Sequence, residues 1–491
     1  MHAKPDPNLR RQEALLRLTE GIYDVLVVGG GIVGAGVARD AAMRGLRVAV
    51  LEKYDLASGT SSRSSRLLHG GLRYLEQGHV SLVHEASVEK KIIHRIAPHL
   101  AEPLGFIFPT YRPGGRPLWQ LKVGVKIYDL LCSGRNFAPS RGFSTARTHE
   151  MVPGLKTENL AGSVRYFDAL TSDARLVIDT LRSAHNHGAT IVNYTSFLAA
   201  QRGEGSWLID IMDRTGRQRM EMRAHVIVNA AGPWADKVGF SDLQLRLSKG
   251  IHLVVRRDRL PVASAVVITE GKRLLFVIPW GERVIIGTTD TDYPHAPEDV
   301  AVNAEDVTYV LRIVNEFFPN ATLREADLIS GWAGLRPLIA NADGTPSDIS
   351  RAHRIRMARS GWWDIAGGKL TTYRLMAEQA VDQIVEAARF KAGPCRTATE
   401  PLLSPDQVTP FSGIHPPEVT REAVEHYVRH EWAFQLEDVM DRRSGWHYYD
   451  RLSYQKVSDI SRWMGNCLGW SIIRTQSEIN AQMRRQVIKP A

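Results

Sequence analysis

The chain has 491 residues, too many for one ordinary core, and 44% hydrophobic against 23% charged residues mark a folded globular protein rather than a disordered one. No run of about 18 uncharged apolar residues occurs and the N-terminal segment lacks the apolar core of a secretory signal, so a cytoplasmic protein that does not span the membrane is expected. Cys132, Cys395 and Cys467 are odd in number and widely spaced, which fits neither a disulfide framework nor a metal site, while a formal charge of +9 leaves anionic small molecules, an anionic membrane surface or nucleic acid as partners.

Residues 1–20 read as a polar arm with one short helix, Arg10 to Leu18. Tyr23 to Glu52 follows: an apolar β-branched run, Val25 to Val28, a glycine turn, a helix, and a second apolar strand, Arg47 to Leu51. Gly29, Gly31 and Gly34 satisfy G-x-G-x-x-G, in which the glycines serve a tight turn, close approach of a pyrophosphate to backbone, and close helix-on-strand packing. Glu52, ending the second strand, can accept hydrogen bonds from ribose hydroxyls, which favours FAD or NAD over NADP. The stretch 56–78, LASGTSSRSSRLLHGGLRYLEQG, is a polar glycine-rich loop leaving the carboxyl end of that strand, where open α/β sheets bind ligands.

Residues 79–98 read as helix, 99–118 as Pro-rich and irregular, and Leu118 to Leu131 as an amphipathic helix with Lys122 and Lys126 on one face, placed against the core in preference to a membrane. Residues 163–200 suggest a return to α/β structure, and Ala224 to Asp236 is a buried strand ending in small residues that let a nucleotide approach. Ile251 to Thr289 has antiparallel strand grammar, Asp306 to Phe318 is helical, and Trp362 to Ala366 is a short strand stopping at Gly367-Gly368 before a helix from Thr371 to Arg389. After Phe390 comes a linker and a Trp-, Tyr-, Arg- and His-rich helical region.

The nucleotide-binding pieces are thus interleaved along the chain, as in the two-domain FAD oxidoreductases that include D-amino acid oxidase and glycine oxidase. Within that class, DLASGTSSRSSRLLHGGLRYLEQG from Asp55, VNAAGPWAD from Val228, GWAGLRPL from Gly331 and AGGKLTTYRLMAE from Ala366 resemble the FAD-dependent glycerol-3-phosphate dehydrogenases. The resemblance implies an α/β fold with a Rossmann-like, D-amino acid oxidase-like FAD domain (20–78, 163–240 and 345–390), an antiparallel-sheet substrate domain (79–162 and 241–344) and a small helical C-terminal domain after a linker (391–491).

It also implies site residues. Thr60, Ser61, Ser62 and Ser65 would face the FAD pyrophosphate and ring, with Ala231 and Gly232 beside the nucleotide. Gly367, Gly368, Lys369, Leu370 and Thr371 would place amides and a helix start beside the flavin where negative charge develops. Arg73, Arg336 and Arg351, with the Tyr74 hydroxyl, match the family's substrate-site residues, and arginine suits bidentate contact with phosphate. His69 and His252 are both candidate bases for the substrate hydroxyl, and Lys369 is a candidate to orient the substrate or polarise the flavin. No histidine cluster has metal partners at useful spacing.

The implied reaction is oxidation of sn-glycerol 3-phosphate to dihydroxyacetone phosphate, with electrons passed from FAD to a membrane quinone. The implied setting is a homodimer peripheral on the inner face of the cytoplasmic membrane. A related polyol phosphate such as erythritol phosphate, or oxygen as acceptor, is the nearest alternative. A tRNA-modifying flavoprotein is the distant one, disfavoured because the arginines that stand out lie in small-molecule motifs rather than in a nucleic-acid face. The C-terminal part departs from the family in length and in Asp441-Arg442-Arg443-Ser444.

Overall fold

The computed structural model describes residues 5–76, 78–132, 136–271, 273–339 and 353–485. Two sheets organise them. In the first, the strands Thr190–Val192, Val48–Leu51, Ile22–Val28, Gln218–Asn229 and Trp362–Gly367 lie parallel in that order, with His353–Arg359 antiparallel at one edge. The first strand is buried on both faces over Val25–Val28, as its unbroken apolar run requires. The helices Ile32–Met43, Asp173–Asn186 and Tyr373–Ala388 cover one face. A Cβ at Gly36 would come within 3.0 Å of the Tyr373 ring, so glycine lets two of these helices meet closely. The hairpin Thr195–Arg202/Trp207–Asp213 and the N-terminal helix Pro7–Thr19 cover the other face, around Trp207 and Trp362.

The second sheet has ten strands among the described residues and is almost wholly antiparallel. Its longest pairing joins Leu245–Arg256 to Leu328–Ile339, in a register that sets His252 opposite Trp332 and Ser248 opposite Arg336. Two sequence expectations change here. The stretch 99–118 contains a regular strand, Glu102–Tyr111. Pro103 and Pro109 are accommodated because only Phe106 and Ile107 pair with the neighbouring strand at Ala265 and Val266, so each missing N–H lies away from that doubly paired stretch. Residues 163–170 do not yet return to the parallel sheet: Leu160–Leu170 pairs with Glu102–Tyr111 in the second sheet, and the parallel sheet resumes after the helix Asp173–Asn186.

The helix Leu118–Leu131 has the expected limits but a divided environment. Leu121, Val125 and Tyr128 are buried, whereas Trp119, Val123, Ile127 and Leu130 are exposed. Between Arg389 and the helix Arg421–His430 the chain carries neither helix nor strand, yet it docks: buried Arg39 donates to the carbonyls of Thr397 and Glu400. The C-terminal helices, ending with Tyr454–Leu468 and Ile472–Arg485, pack into the same core as the parallel sheet. Their tie is ionic as well as apolar, because Arg442 and Arg443 both pair with Asp55, all three being buried. No helix among the described residues is long and apolar enough to cross a membrane.

Candidate cofactor and substrate site

The glycine turn behaves as its spacing predicts. Gly29 has φ +114°, and a Cβ at Gly34 would overlap the Gly29 carbonyl, so the helix can seat on the strand only with glycine there. Gly31 caps the helix Ile32–Met43 without a side-chain hydrogen bond, leaving the positive end of the helix facing outward. The Ser61 hydroxyl accepts from the Ile32 amide at 3.0 Å, joining the serine-rich loop to that helix start. The Glu52 carboxylate accepts from the Gly30 and Tyr54 amides at 2.7 and 2.8 Å. Burial pushes its pKa up in spite of those two donors.

A cavity of about 1190 Å³ opens between the two sheets, larger than the roughly 300–1,000 Å³ usual for small-ligand pockets. Toward the helix Ile32–Met43 it is lined by Ile32, Thr60, Ser61 and Ser65, and by the turn Gly367, Gly368, Lys369 and Leu370. Gly367 and Gly368 have φ +74° and +77°, which bends the chain from the strand Trp362–Gly367 into the helix that starts at Tyr373. Thr371 lies behind this turn, its hydroxyl bonded to the His69 backbone. Ser62 is buried within the short turn Thr60–Ser62, and Ala231 leads into Gly232 at φ +57°. A helix start capped by glycine, an adjacent carboxylate and a glycine turn opposite fit a dinucleotide such as FAD.

Elsewhere in its wall the same cavity meets His69, Tyr74, His252 and Arg336. His252 is 2% exposed, its Nε2 is 2.8 Å from the Ser65 hydroxyl, and its ring stacks on Trp332 with centroids 5.2 Å apart. Burial first, then the neighbouring Arg336 and Arg66 guanidinium groups, push its pKa down to about 3, so the ring is neutral at ordinary pH. Arg336 reaches the Thr288 hydroxyl at 2.9 Å and the Asp290 carboxylate at 3.3 Å, and Asp290 also accepts from Ser248. Lys369 Nζ sits 3.8 Å from the centre of the Tyr74 ring, so the two side chains pack against each other in the cavity wall. Arg351 and the side chain of Arg73 lie outside the described residues.

The structure adds residues that the motifs do not single out. Thr288 and Asp290 belong to a segment that reads only as strand grammar, and their role follows from the register bringing Arg336 across from Ser248. Arg66 is buried over the faces of Trp280 and Trp332, 4.2 and 4.9 Å from their centres, and places a cation behind His252. Asp55, the first residue of the serine-rich motif, is the anchor for Arg442 and Arg443.

Residues 24–375 match the family model of FAD dependent oxidoreductases. Glycerol-3-phosphate dehydrogenase 2 of Mycobacterium tuberculosis is 40% identical over 426 residues, covering 83% of this chain and 72% of that protein. The aerobic glycerol-3-phosphate dehydrogenase of Bacillus subtilis is 38% identical over 407 residues, 80% of this chain and 73% of that one. Among solved structures, the glycerol-3-phosphate dehydrogenase from Bacillus halodurans complexed with FAD superposes with a TM-score of 0.79 at 28% identity, covering 99% of both chains. The chain belongs to the FAD-dependent oxidoreductase family, and within it to the group that contains the glycerol-3-phosphate dehydrogenases.

Proposed function

We propose that this protein oxidises sn-glycerol 3-phosphate to dihydroxyacetone phosphate and passes the electrons to a quinone in the membrane. One observation carries the reading: a single cavity gathers the flavin-side turn Gly367–Leu370, two histidines and Arg336, contributed by separate stretches of the chain. FAD, when bound, supplies the hydride acceptor. Glu52, the amides of the Gly29–Gly31 turn and Ser61 are the groups to hold its ribose and pyrophosphate, and the Gly367–Leu370 backbone to face its ring.

The substrate's secondary alcohol must lose a hydride from carbon and a proton from oxygen. His252, neutral and fixed by Ser65, or His69, fixed by Thr371, takes that proton. Arg336 draws the phosphate, since a guanidinium matches the planar edge of the dianion, and Asp290 holds that guanidinium in place. The Lys369 ammonium, packed on Tyr74, adds positive potential next to the flavin-side turn.

The exposed stripe Trp119, Val123, Ile127 and Leu130, bordered by Lys122 and Lys126 and with the half-buried Asp129 carboxylate bonded to Ser140, supports a peripheral position on an anionic membrane surface. A cytoplasmic homodimer on the inner face of that membrane completes the proposal, and sedimentation of the purified protein tests the dimer. The reaction is tested by anaerobic bleaching of the flavin absorption with glycerol 3-phosphate, erythritol phosphate and unphosphorylated glycerol in turn. Rapid bleaching by glycerol 3-phosphate alone is expected. Bleaching by a different polyol phosphate in its place overturns the named substrate.

A further inference from the structure

Behind the loop that carries His69, three donors from different elements converge on one oxygen of Asp168. The Tyr128 hydroxyl donates to Oδ1 at 2.5 Å, the Lys90 ammonium at 2.8 Å and the Gly70 amide at 3.3 Å. Asp168 comes from the strand Leu160–Leu170, Lys90 from the helix Val80–Ile96 and Tyr128 from Leu118–Leu131. Lys90 and Tyr128 are wholly buried, and Lys90 also donates to the Phe167 carbonyl at 2.9 Å.

A buried ion pair is weak grounds for stability, because its desolvation offsets most of its attraction. The geometry offers a functional account. Oδ2 of Asp168 receives no hydrogen bond from any described residue, and the side chain, 3% accessible, lines the cavity beside Gly71 and His69. One oxygen is therefore saturated by the protein while the other is turned toward the space where substrate sits. A carboxylate oxygen accepts from a hydroxyl and repels a phosphate, so it distinguishes the two ends of a polyol phosphate.

We propose that Asp168 is a substrate-positioning residue whose Oδ2 accepts a hydrogen bond from the terminal hydroxyl of the polyol, with Lys90, Tyr128 and Gly70 fixing its direction. The inference rests on the polyol-phosphate reading above. It fixes the direction of binding: the hydroxyl end lies against the His69–Gly71 loop, and the phosphate is left to the guanidinium side of the cavity.

The test compares sn-glycerol 3-phosphate with 2-hydroxypropyl phosphate, which keeps the secondary alcohol and the phosphate but lacks the terminal hydroxyl. Anaerobic flavin reduction gives kcat/KM for each. The wild type should favour glycerol 3-phosphate by about 10- to 100-fold, the range of a hydrogen bond to a charged group. Asp168→Asn puts a donor or a neutral oxygen where the carboxylate was, and should erase that preference while FAD absorption is retained. Because this change strands the Lys90 ammonium, the double variant Lys90→Met/Asp168→Asn serves if the single one does not fold. A wild type without preference, or an Asp168→Asn that slows both compounds equally and keeps the preference, overturns the assignment. Reduction by neither compound in the wild type overturns the polyol-phosphate reading and this inference with it.

Discussion

The Thr371 hydroxyl accepts a hydrogen bond from the His69 backbone amide at 3.0 Å and lies 3.2 Å from its carbonyl, joining residues 302 positions apart in the chain. The turn Gly367–Leu370 and the loop that carries His69 are therefore fixed to each other by one buried side chain. Thr371→Val keeps the shape and removes the link, leaving the amide unpaired at a cost of about 1–3 kcal/mol. A lower melting temperature and a fall in turnover of up to about 10²-fold are expected, since small misplacement of a reacting group can cost that much. Wild-type turnover in this variant would show that the loop is held by other contacts.

His69→Gln and His252→Gln separate the two candidate bases. Loss of the acting one should lower kcat by about 10²- to 10⁴-fold, and loss of the other much less. The pH profile decides independently. A group whose pKa is depressed to about 3 stays neutral above that pH, so if His252 is the base the acid limb of kcat/KM falls near pH 3, not near the ordinary histidine value of 6.5. An acid limb that persists in His252→Gln and disappears in His69→Gln assigns the proton to His69.

Arg336→Ala is expected to raise KM for glycerol 3-phosphate by about 10- to 100-fold, the range for charge-assisted hydrogen bonds, with bound FAD retained. Asp290→Asn, which frees the guanidinium rather than removing it, should raise KM less. Unchanged substrate kinetics in Arg336→Ala would remove this arginine from the phosphate site.

Asp55→Ala leaves the buried Arg443 and Arg442 without their shared carboxylate and should cost about 3–5 kcal/mol in urea unfolding. Burial pushes the Asp55 carboxyl up, but Arg443 and Arg442 overcome it and hold its pKa below the ordinary 3.8. A depressed aspartate contributes stability above its unfolded pKa and loses it as pH falls through the folded value. The wild-type advantage over Asp55→Ala should therefore persist from neutral pH down to about 4 and fade only below it. An advantage that vanishes by pH 6 would mean that the carboxylate is not held by these arginines.

Trp119→Glu combined with Leu130→Glu places two charges on an exposed face. Flotation with vesicles containing anionic phospholipid should be lost, while flavin reduction by glycerol 3-phosphate in solution is kept. Unaltered flotation would move the membrane contact elsewhere on the protein.

Much of the nucleotide half was legible because its constraints are local. Gly29, Gly31 and Gly34 answer to turn geometry and to van der Waals contact within a few residues, and Val25–Val28 to burial on both faces, so the spacing itself states the requirement. The strand through Pro103 and Pro109 was not legible, because proline excludes a strand only where both edges are paired, and pairing is a property of neighbours. The helix Leu118–Leu131 showed its amphipathic period, but not that one face would meet the core and the other nothing.

The sequence by itself determined the cofactor class and the order of the interleaved segments, since those motifs are chemically committed wherever they fold. Only the tertiary structure decided how those groups act together. That Thr371 holds His69, that Asp290 faces Arg336, that Arg66 sits behind His252 and that Lys90 saturates one oxygen of Asp168 all depend on contacts between residues far apart in the chain. Their energies come from burial and direction, which no single segment contains.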